Sequence, residues 1–329
     1  MKKLLKILGI AVAIIVVVIV AGLIYFNAKY PDVSLPSNIK VVSTSEKINR
    51  GEYLANHVTV CIDCHSTRDW TKFSGPLIPG SEGKGGFNFG PAEGLPGNVY
   101  AKNITPTAIG EWSDGELIRA ITQGVNKNNK ALFPIMPYYS FNHLTESDLE
   151  AIVCYIRSLN PIENKVPETE LDFPMNLIVK TIPIKTYTPS YPINKSDSVN
   201  YGRYLATIAS CGGCHTPAEK GEPIPGMNFA GGMEFKTPWG VVRSANITPD
   251  AETGIGNWTK DKFIATFKKY STENAKNITV DPNSFNSVMP WIMYGGMTEE
   301  DLAAIYEYLK TVKPVNHLVV KYTPLTAEK

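Results

Sequence analysis

The chain has 329 residues, 43% of them hydrophobic and 19% charged, with 26 Gly, 24 Pro and 5 Cys. Its 32 Lys plus Arg stand against 31 Asp plus Glu, a formal charge of +1, which excludes the broad basic surface that nucleic-acid binding needs. The apolar fraction is too high for a disordered chain, and Gly and Pro follow no collagen period, so a folded, loop-rich protein of one large or two ordinary domains remains.

Residues 7–26, ILGIAVAIIVVVIVAGLIYF, carry no charge. At ~1.5 Å rise per residue, about twenty residues reach ~30 Å, the thickness of a bilayer's hydrocarbon core. Residues 1–30 therefore read as an N-terminal membrane anchor whose partner is lipid. A cleaved signal peptide has an apolar core of about 7 to 15 residues closed by small residues, and this run fits neither condition well. Lys2, Lys3 and Lys6 precede the span and only Lys29 closely follows it, so the positive-inside bias predicts a single pass through the cytoplasmic membrane with everything downstream on the periplasmic side. Residues 31–44 form a spacer.

A first unit, 45–160, opens with a helical segment around Tyr53 and Leu54 that runs into CIDCH at 61–65. Ser113 and Glu116 have capping-box spacing, and Thr145 caps a last helix whose Leu149, Ile152, Ile156 and Leu159 form an apolar stripe. The Gly/Pro/Asn stretches between these helices have little periodicity, and segments of that length stay ordered only around an internal organiser. Residues 161–195 hold Pro161, Pro167, Pro174, Pro183, Pro189 and Pro192, which predict an extended linker with no helix of its own. Its Leu177, Ile178, Val179, Ile182 and Ile184 suggest that it lies against a domain.

The second unit, 196–314, repeats the first. RGEYLANHVTVCIDCH (50–65) returns as YGRYLATIASCGGCH (201–215), and NITP at 103–106 returns at 246–249. Pro79, Gly80, Gly85, Gly86 and Phe89 reappear as Pro225, Gly226, Gly231, Gly232 and Phe235, and Trp112 as Trp258. Met136-Pro137 followed by LTESDLEAIVCYIRSL becomes Met289-Pro290 followed by MTEEDLAAIYEYLKTV. Thr259 and Thr298 sit where helix caps belong. Residues 315–329 are a C-terminal tail.

Cys61, Cys64 and His65, and again Cys211, Cys214 and His215, have the C-x-x-C-H spacing of c-type haem attachment. The thiols add across the haem vinyl groups, and the next His lies beneath the macrocycle to give the iron a proximal nitrogen. A C-x-x-C alone also fits a redox disulfide or half a zinc site. Two copies about 150 residues apart, each followed by His in an exported chain, argue against both, because a zinc ribbon needs its cysteine pairs close together. Two covalently bound haem c groups are expected.

Met136 and Met289 are the only methionines in equivalent places, which makes them candidates for the sixth iron ligand; a thioether there favours Fe(II), raises the potential and closes the iron to other ligands. His57 and His143 lack His partners in the second unit and are the rival ligands at the first site. A proximal His also needs its second ring nitrogen tied down, and Pro76 and Pro223 are candidates to present the carbonyl. Trp112, Trp258, Tyr138 and Trp291 either border the macrocycle or simply pack. Asn103 and Asn246 cap turns. Cys154 aligns with Glu307 and reads as a free thiol near the surface, or as a small buried hydrophobe.

By these residues the chain resembles the class I cytochrome c family, in a two-haem, membrane-anchored form, from about 45 to 314. NITPDAETGIGNW (246–258) with MPW (289–291) is similar to the haem domains of cytochrome subunits that serve periplasmic alcohol, aldehyde or gluconate dehydrogenases. The resemblance implies an all-α fold, a tandem pair of cytochrome c domains behind the anchor, with His and Met ligands and electron transfer through exposed haem edges. It departs in having two haem motifs where those subunits commonly hold three, and in the shorter NITPTAIGEW of the first unit. The expected role is a carrier rather than an enzyme, taking electrons from a dehydrogenase or other donor and passing them to a respiratory acceptor such as a quinol-oxidising complex or terminal oxidase. The alternative is a dihaem enzyme of the peroxidase or thiosulfate-oxidising type, with one haem open to substrate.

Overall fold

The computed structural model describes residues 1–219 and 221–325; of the expected tail, 326–329 lie outside the described residues. The apolar N-terminal run forms α1 (Lys2–Lys29), with none of its residues buried against protein. The first unit contributes α2 (Ser45–Tyr53), α3 (Cys61–Cys64), α4 (Pro106–Ile109), α5 (Asp114–Gln123), α6 (Tyr138–Phe141) and α7 (Glu146–Ser158). A widened π turn over Leu54–Val58 leads from α2 toward α3. After the one-turn α8 (Met175–Ile178), the second unit adds α9 (Ser198–Ile208), α10 (Cys211–His215), α11 (Lys260–Lys268), α12 (Trp291–Gly295) and α13 (Glu299–Leu309).

The helices begin where hydroxyls can take the first free amide. Glu116 N donates to Ser113 Oγ at 3.2 Å while Ser113 N donates to Glu116 Oε2 at 2.8 Å, so the expected capping box closes. Thr145, Thr259 and Thr298 accept from Asp148 N, Lys262 N and Asp301 N at 3.2, 3.1 and 3.1 Å. α2 packs on α7 and α9 on α13, and each crossing is closest at a glycine. A Cβ on Gly51 would collide with the Ala151 carbonyl, and one on Gly202 with the Ala304 carbonyl.

The expected all-α fold does not hold. About 40% of the chain is helix and about 9% is strand, in three small sheets, a mixed α/β architecture. β1 (Asn88–Phe89), β2 (Gly97–Tyr100) and β3 (Glu170–Leu171) form one antiparallel sheet in that order, with Asn88 opposite Tyr100 and Gly97 opposite Leu171. β4 (Ala218–Glu219) and β5 (Glu222–Pro223) pair as a hairpin. β6 (Glu234–Thr237), β7 (Gly240–Arg243) and β8 (Tyr322–Pro324) form the third sheet, with Phe235 opposite Val242 and Val241 opposite Thr323. The Gly/Pro/Asn stretches satisfy their backbone groups through these ladders, whose strands are too short for an alternating pattern to be legible. The linker supplies β3 as well as α8, so it is neither wholly extended nor free of helix, and the tail supplies β8.

Both units share one core: Leu54, Val58, Leu149 and Ile152 are continuous with Leu205, Ile208, Leu302 and Leu309. Across the junction the bonds are reciprocal. Tyr53 Oη donates to Asp301 Oδ2 at 2.6 Å, and Tyr204 Oη to Asp148 Oδ2 at 2.7 Å, so equivalent tyrosines of the repeat reach equivalent aspartates of the other unit. Arg50 grips Asp148 with two bonds of 2.9 and 3.0 Å, and Tyr201 Oη donates to Asp301 Oδ1 at 2.8 Å. Cys154 is buried on α7, in agreement with the hydrophobe alternative. The spacer lies on the first unit and the linker, with Val41 N donating to Asp114 Oδ2 at 2.8 Å and Ser34 N to Lys185 O at 2.9 Å.

Candidate functional site

Each C-x-x-C-H motif folds as a single helical turn, with His65 N donating to Cys61 O at 3.0 Å and Thr216 N to Gly212 O at 3.0 Å. On such a turn the residues at i, i+3 and i+4 share one face, so Cys61, Cys64 and His65 are gathered together, as are Cys211, Cys214 and His215. The turn is entered through a left-handed residue in both units, Val60 at φ 46° and Ser210 at φ 53°. Neither is Gly, and a β-branched residue at positive φ is strained, the kind of local strain that gathers at functional sites.

The histidines are clamped identically. His65 O accepts from Gly85 N at 2.7 Å and its Nδ1 lies 2.6 Å from Lys102 O. His215 O accepts from Gly231 N at 2.7 Å and its Nδ1 lies 2.7 Å from Ala245 O. A nitrogen facing a carbonyl carries the proton, which leaves Nε2 with a free electron pair for a metal. Burial lowers the pKa of both imidazoles, so the neutral form is favoured. Gly85 and Gly231, at φ 67° and 73°, cross the Lys102 and Ala245 backbones so closely that a Cβ would strike them.

The carbonyls themselves are held by the NITP loops. Asn103 Oδ1 accepts from Thr105 N at 2.9 Å and Thr105 Oγ1 at 2.8 Å, and its Nδ2 donates to Ile162 O at 2.8 Å. Asn246 repeats the pattern with Thr248 N at 2.9 Å, Thr248 Oγ1 at 2.8 Å and Val315 O at 2.8 Å. Replacing Asn246 by Ala will leave these buried partners unmet and lower stability by about 2 kcal/mol in urea denaturation, with Asn103→Ala as the matched variant.

Pro76 and Pro223 do not face the imidazoles. Pro76 O accepts from Asp69 N at 2.9 Å, and Pro223 is exposed in the β4–β5 hairpin. Both loops turn back and bond within themselves, so the ring partners come from 30 or more residues downstream. Lys102 and Ala245 share one mark in the sequence, a place immediately before a copy of NITP, which does not by itself name a ring acceptor.

Cys64 and Cys214 are solvent-accessible yet deeply surrounded, as side chains lining a crevice would be. Burial, then the charge on Asp63, pushes the Cys64 thiol up to about 12, and burial pushes Cys211 up to about 12. Met136 and Met289 are half-buried in matching turns, with Tyr138 N donating to Met136 O and Trp291 N to Met289 O, each at 2.8 Å. His57 points its Nδ1 at Met293 O, 2.9 Å away in the other unit, and His143 is exposed. Among the described residues, the buried side-chain polar atoms without partners are Arg119 Nε and Tyr138 Oη, both in the first unit and the latter two residues beyond Met136. A ligand bearing acceptor oxygens would complete them. Two cysteine pairs, two oriented imidazoles, two thioethers and these unmet donors fit haem c.

The motifs also lie within electrostatic reach of each other. Charge on Cys214 contributes to the upward shift of Cys64, and the Tyr294 phenol, raised chiefly by burial, is raised further by Cys211, Cys214, Asp63 and Cys64. Tyr294 Oη donates to Ala209 O at 2.9 Å.

Residues 199–313 match the family model described as cytochrome c. The chain is 29% identical over 280 residues to the fructose dehydrogenase cytochrome subunit of Gluconobacter japonicus, covering 80% of this chain and 52% of that one. It is 26% identical to the cytochrome c subunit of a quinone alcohol dehydrogenase of Gluconacetobacter polyoxogenes, covering 86% and 60% respectively. A diheme cytochrome c-type protein of Cereibacter sphaeroides is 24% identical, over 78% of this chain and 82% of that protein. The chain thus spans 52% to 60% of the length of the two dehydrogenase subunits.

Proposed function

We propose that this chain, which carries a cytochrome c domain at 199–313 and is similar along most of its length to cytochrome subunits of dehydrogenases, is a two-haem electron carrier anchored in the cytoplasmic membrane with its haem sites on the periplasmic side. The observation that carries the reading is the duplicated clamp, in which His65 and His215 each turn Nδ1 onto a carbonyl and so keep Nε2 available. A bound haem supplies a one-electron Fe(III)/Fe(II) couple. The polypeptide holds, orients and encloses that couple. Cys61 with Cys64, and Cys211 with Cys214, would anchor it as thioethers; His65 and His215 would donate nitrogen, and Met136 and Met289 sulfur. A thioether ligand favours the reduced state and keeps small molecules off the metal.

The core shared by the two units, with Ser140 Oγ of the first 3.2 Å from Ser210 Oγ beside the second motif, supports passage of an electron between the two sites, entry at one and exit at the other. The relatives' names support a dehydrogenase as donor, and a respiratory-chain component would be the acceptor. α1 supports the anchor, and the lysines before it support the sidedness. The test is the purified full-length chain. Mass spectrometry should find two covalent haems, and Met136→Ala and Met289→Ala should each remove one component of the weak thioether-to-iron absorption. A single haem, or a wild-type high-spin ferric site that binds peroxide at once, overturns the carrier reading.

A further inference from the structure

The loop after the first motif is longer than its counterpart: Pro79 follows His65 by 14 positions, whereas Pro225 follows His215 by 10. The longer loop reaches into the second unit. Phe73 N donates to Ile278 O at 2.8 Å and Val280 N to Thr71 O at 2.9 Å, while Trp70 and Trp239 bring their ring centroids to 5.5 Å. Asn286 Nδ2 donates to Trp70 O at 3.2 Å and to Lys72 O at 3.0 Å.

At the tip stands Ser74, 1% exposed and left-handed at φ 61°. Its hydroxyl donates to Met289 O at 2.6 Å and accepts from Trp291 N at 3.0 Å, and its own N–H donates to Asn286 Oδ1 at 2.8 Å. Arg68 holds Ser74 in turn. Its Nη2 donates to Ser74 O at 2.7 Å, its Nε to Gly75 O at 2.8 Å, and its Nη1 pairs with Asp63 Oδ2 at 2.9 Å. Asp63 lies inside CIDCH, between Cys61 and Cys64.

We propose that Ser74 is a positioning residue for the second site: from the first unit it latches the Met289 turn closed, and Arg68 with Asp63 ties that latch to the first motif. The proposal rests on Met289 being the sulfur ligand. Were Met289 to release a bound metal, its turn would have to move and the Ser74 bonds break where water has little access, which would strip the hydroxyl of its partners and leave Met289 O and Trp291 N only the bond they share within the turn. The first site is built differently. Among the described residues a hydrogen bond between the second unit and this segment falls beyond the turn, Ser140 Oγ donating to Ser210 Oγ at 3.2 Å, and none reaches 133–138, where Met136 N donates within its own turn to Phe133 O at 3.3 Å. Two sites with matching motifs therefore differ in how readily their distal side opens, and the second is the better protected.

The test uses the full-length ferric protein in detergent with cyanide as the probe, because cyanide must wait for sulfur to leave. Met289→Ala identifies the phase that belongs to the second site. Ser74→Gly removes the hydroxyl and frees the positive φ, and it should accelerate that phase about tenfold or more while the other phase stays unchanged. Arg68→Gln, which keeps the hydroxyl but removes its brace, should act in the same direction with a smaller effect. No change in the second-site phase, or equal acceleration of both phases, overturns the latch. If Met289→Ala leaves both thioether absorptions in place, the ligand reading and the latch fall together. If Met289→Ala removes one and Ser74→Gly leaves the rate unchanged, the latch alone falls.

Discussion

If the parent carries the two covalent haems proposed, a chain carrying Cys211→Ala and Cys214→Ala should reach the membrane with one, and its mass and reduced-haem absorbance should fall accordingly. The groups that clamp the second motif lie in the second unit: the α10 turn, Gly231 on the His215 carbonyl, and Ala245 on the ring nitrogen, while the first unit touches its entry through Ser140 Oγ, 3.2 Å from Ser210 Oγ. Gly85 and Lys102 clamp the first motif from within the first unit. Attachment at 61–65 should therefore survive intact. The second unit will lose stability as well, because a crevice without its organiser leaves apolar walls facing water. Mass spectrometry of the exported protein decides the matter, and loss of both haems from this variant would contradict the independence of the two presenting shells.

The largest effect on folding is expected at Gly202. The backbones of α9 and α13 approach so closely there that a Cβ overlaps the Ala304 carbonyl, and backbone atoms cannot swing aside as a side-chain tip can. Gly202→Val should lower stability by about 3 kcal/mol or more, at the upper end of the overpacking range, with poor recovery of folded protein. Gly51→Val should do the same at the α2–α7 crossing. Gly212→Ala is the contrast, since its Cβ would meet Phe229 at an ordinary 3.5 Å and the equivalent residue of the first unit is Ile62. Urea midpoints for the three variants provide the comparison; a Gly202→Val protein as stable as the parent would mean that these helices do not cross at this point.

Much of the candidate site could be read from residues because its chemistry is local. A thiol, a second thiol three positions on and a histidine after it share one face of any helical turn, so Cys61, Cys64 and His65 needed no tertiary information. The helix caps at Ser113, Thr145 and Thr298 were legible for the same reason, since a cap acts within three residues. The ring partners were not. Any residue has a carbonyl, so nothing in side-chain identity singles out Lys102 or Ala245, and the proline guess put the acceptor too near in sequence. The all-α expectation failed in a related way. β1 and β3 are two residues long and β2 and β7 four, lengths at which alternation carries no signal, and β3 and β8 arrive from segments read as linker and tail.

What the sequence determined alone is the paired C-x-x-C-H motifs, the duplication and the uncharged apolar run at the N-terminus, all properties of composition and short spacing. Only the tertiary structure decided which carbonyls orient the imidazoles, how Tyr53 and Tyr204 exchange aspartates across the units, and that Ser74 reaches Met289. The reason is physical: those contacts join groups common to every residue, or residues dozens to hundreds of positions apart, and only the packing of one shared core brings them within hydrogen-bond distance.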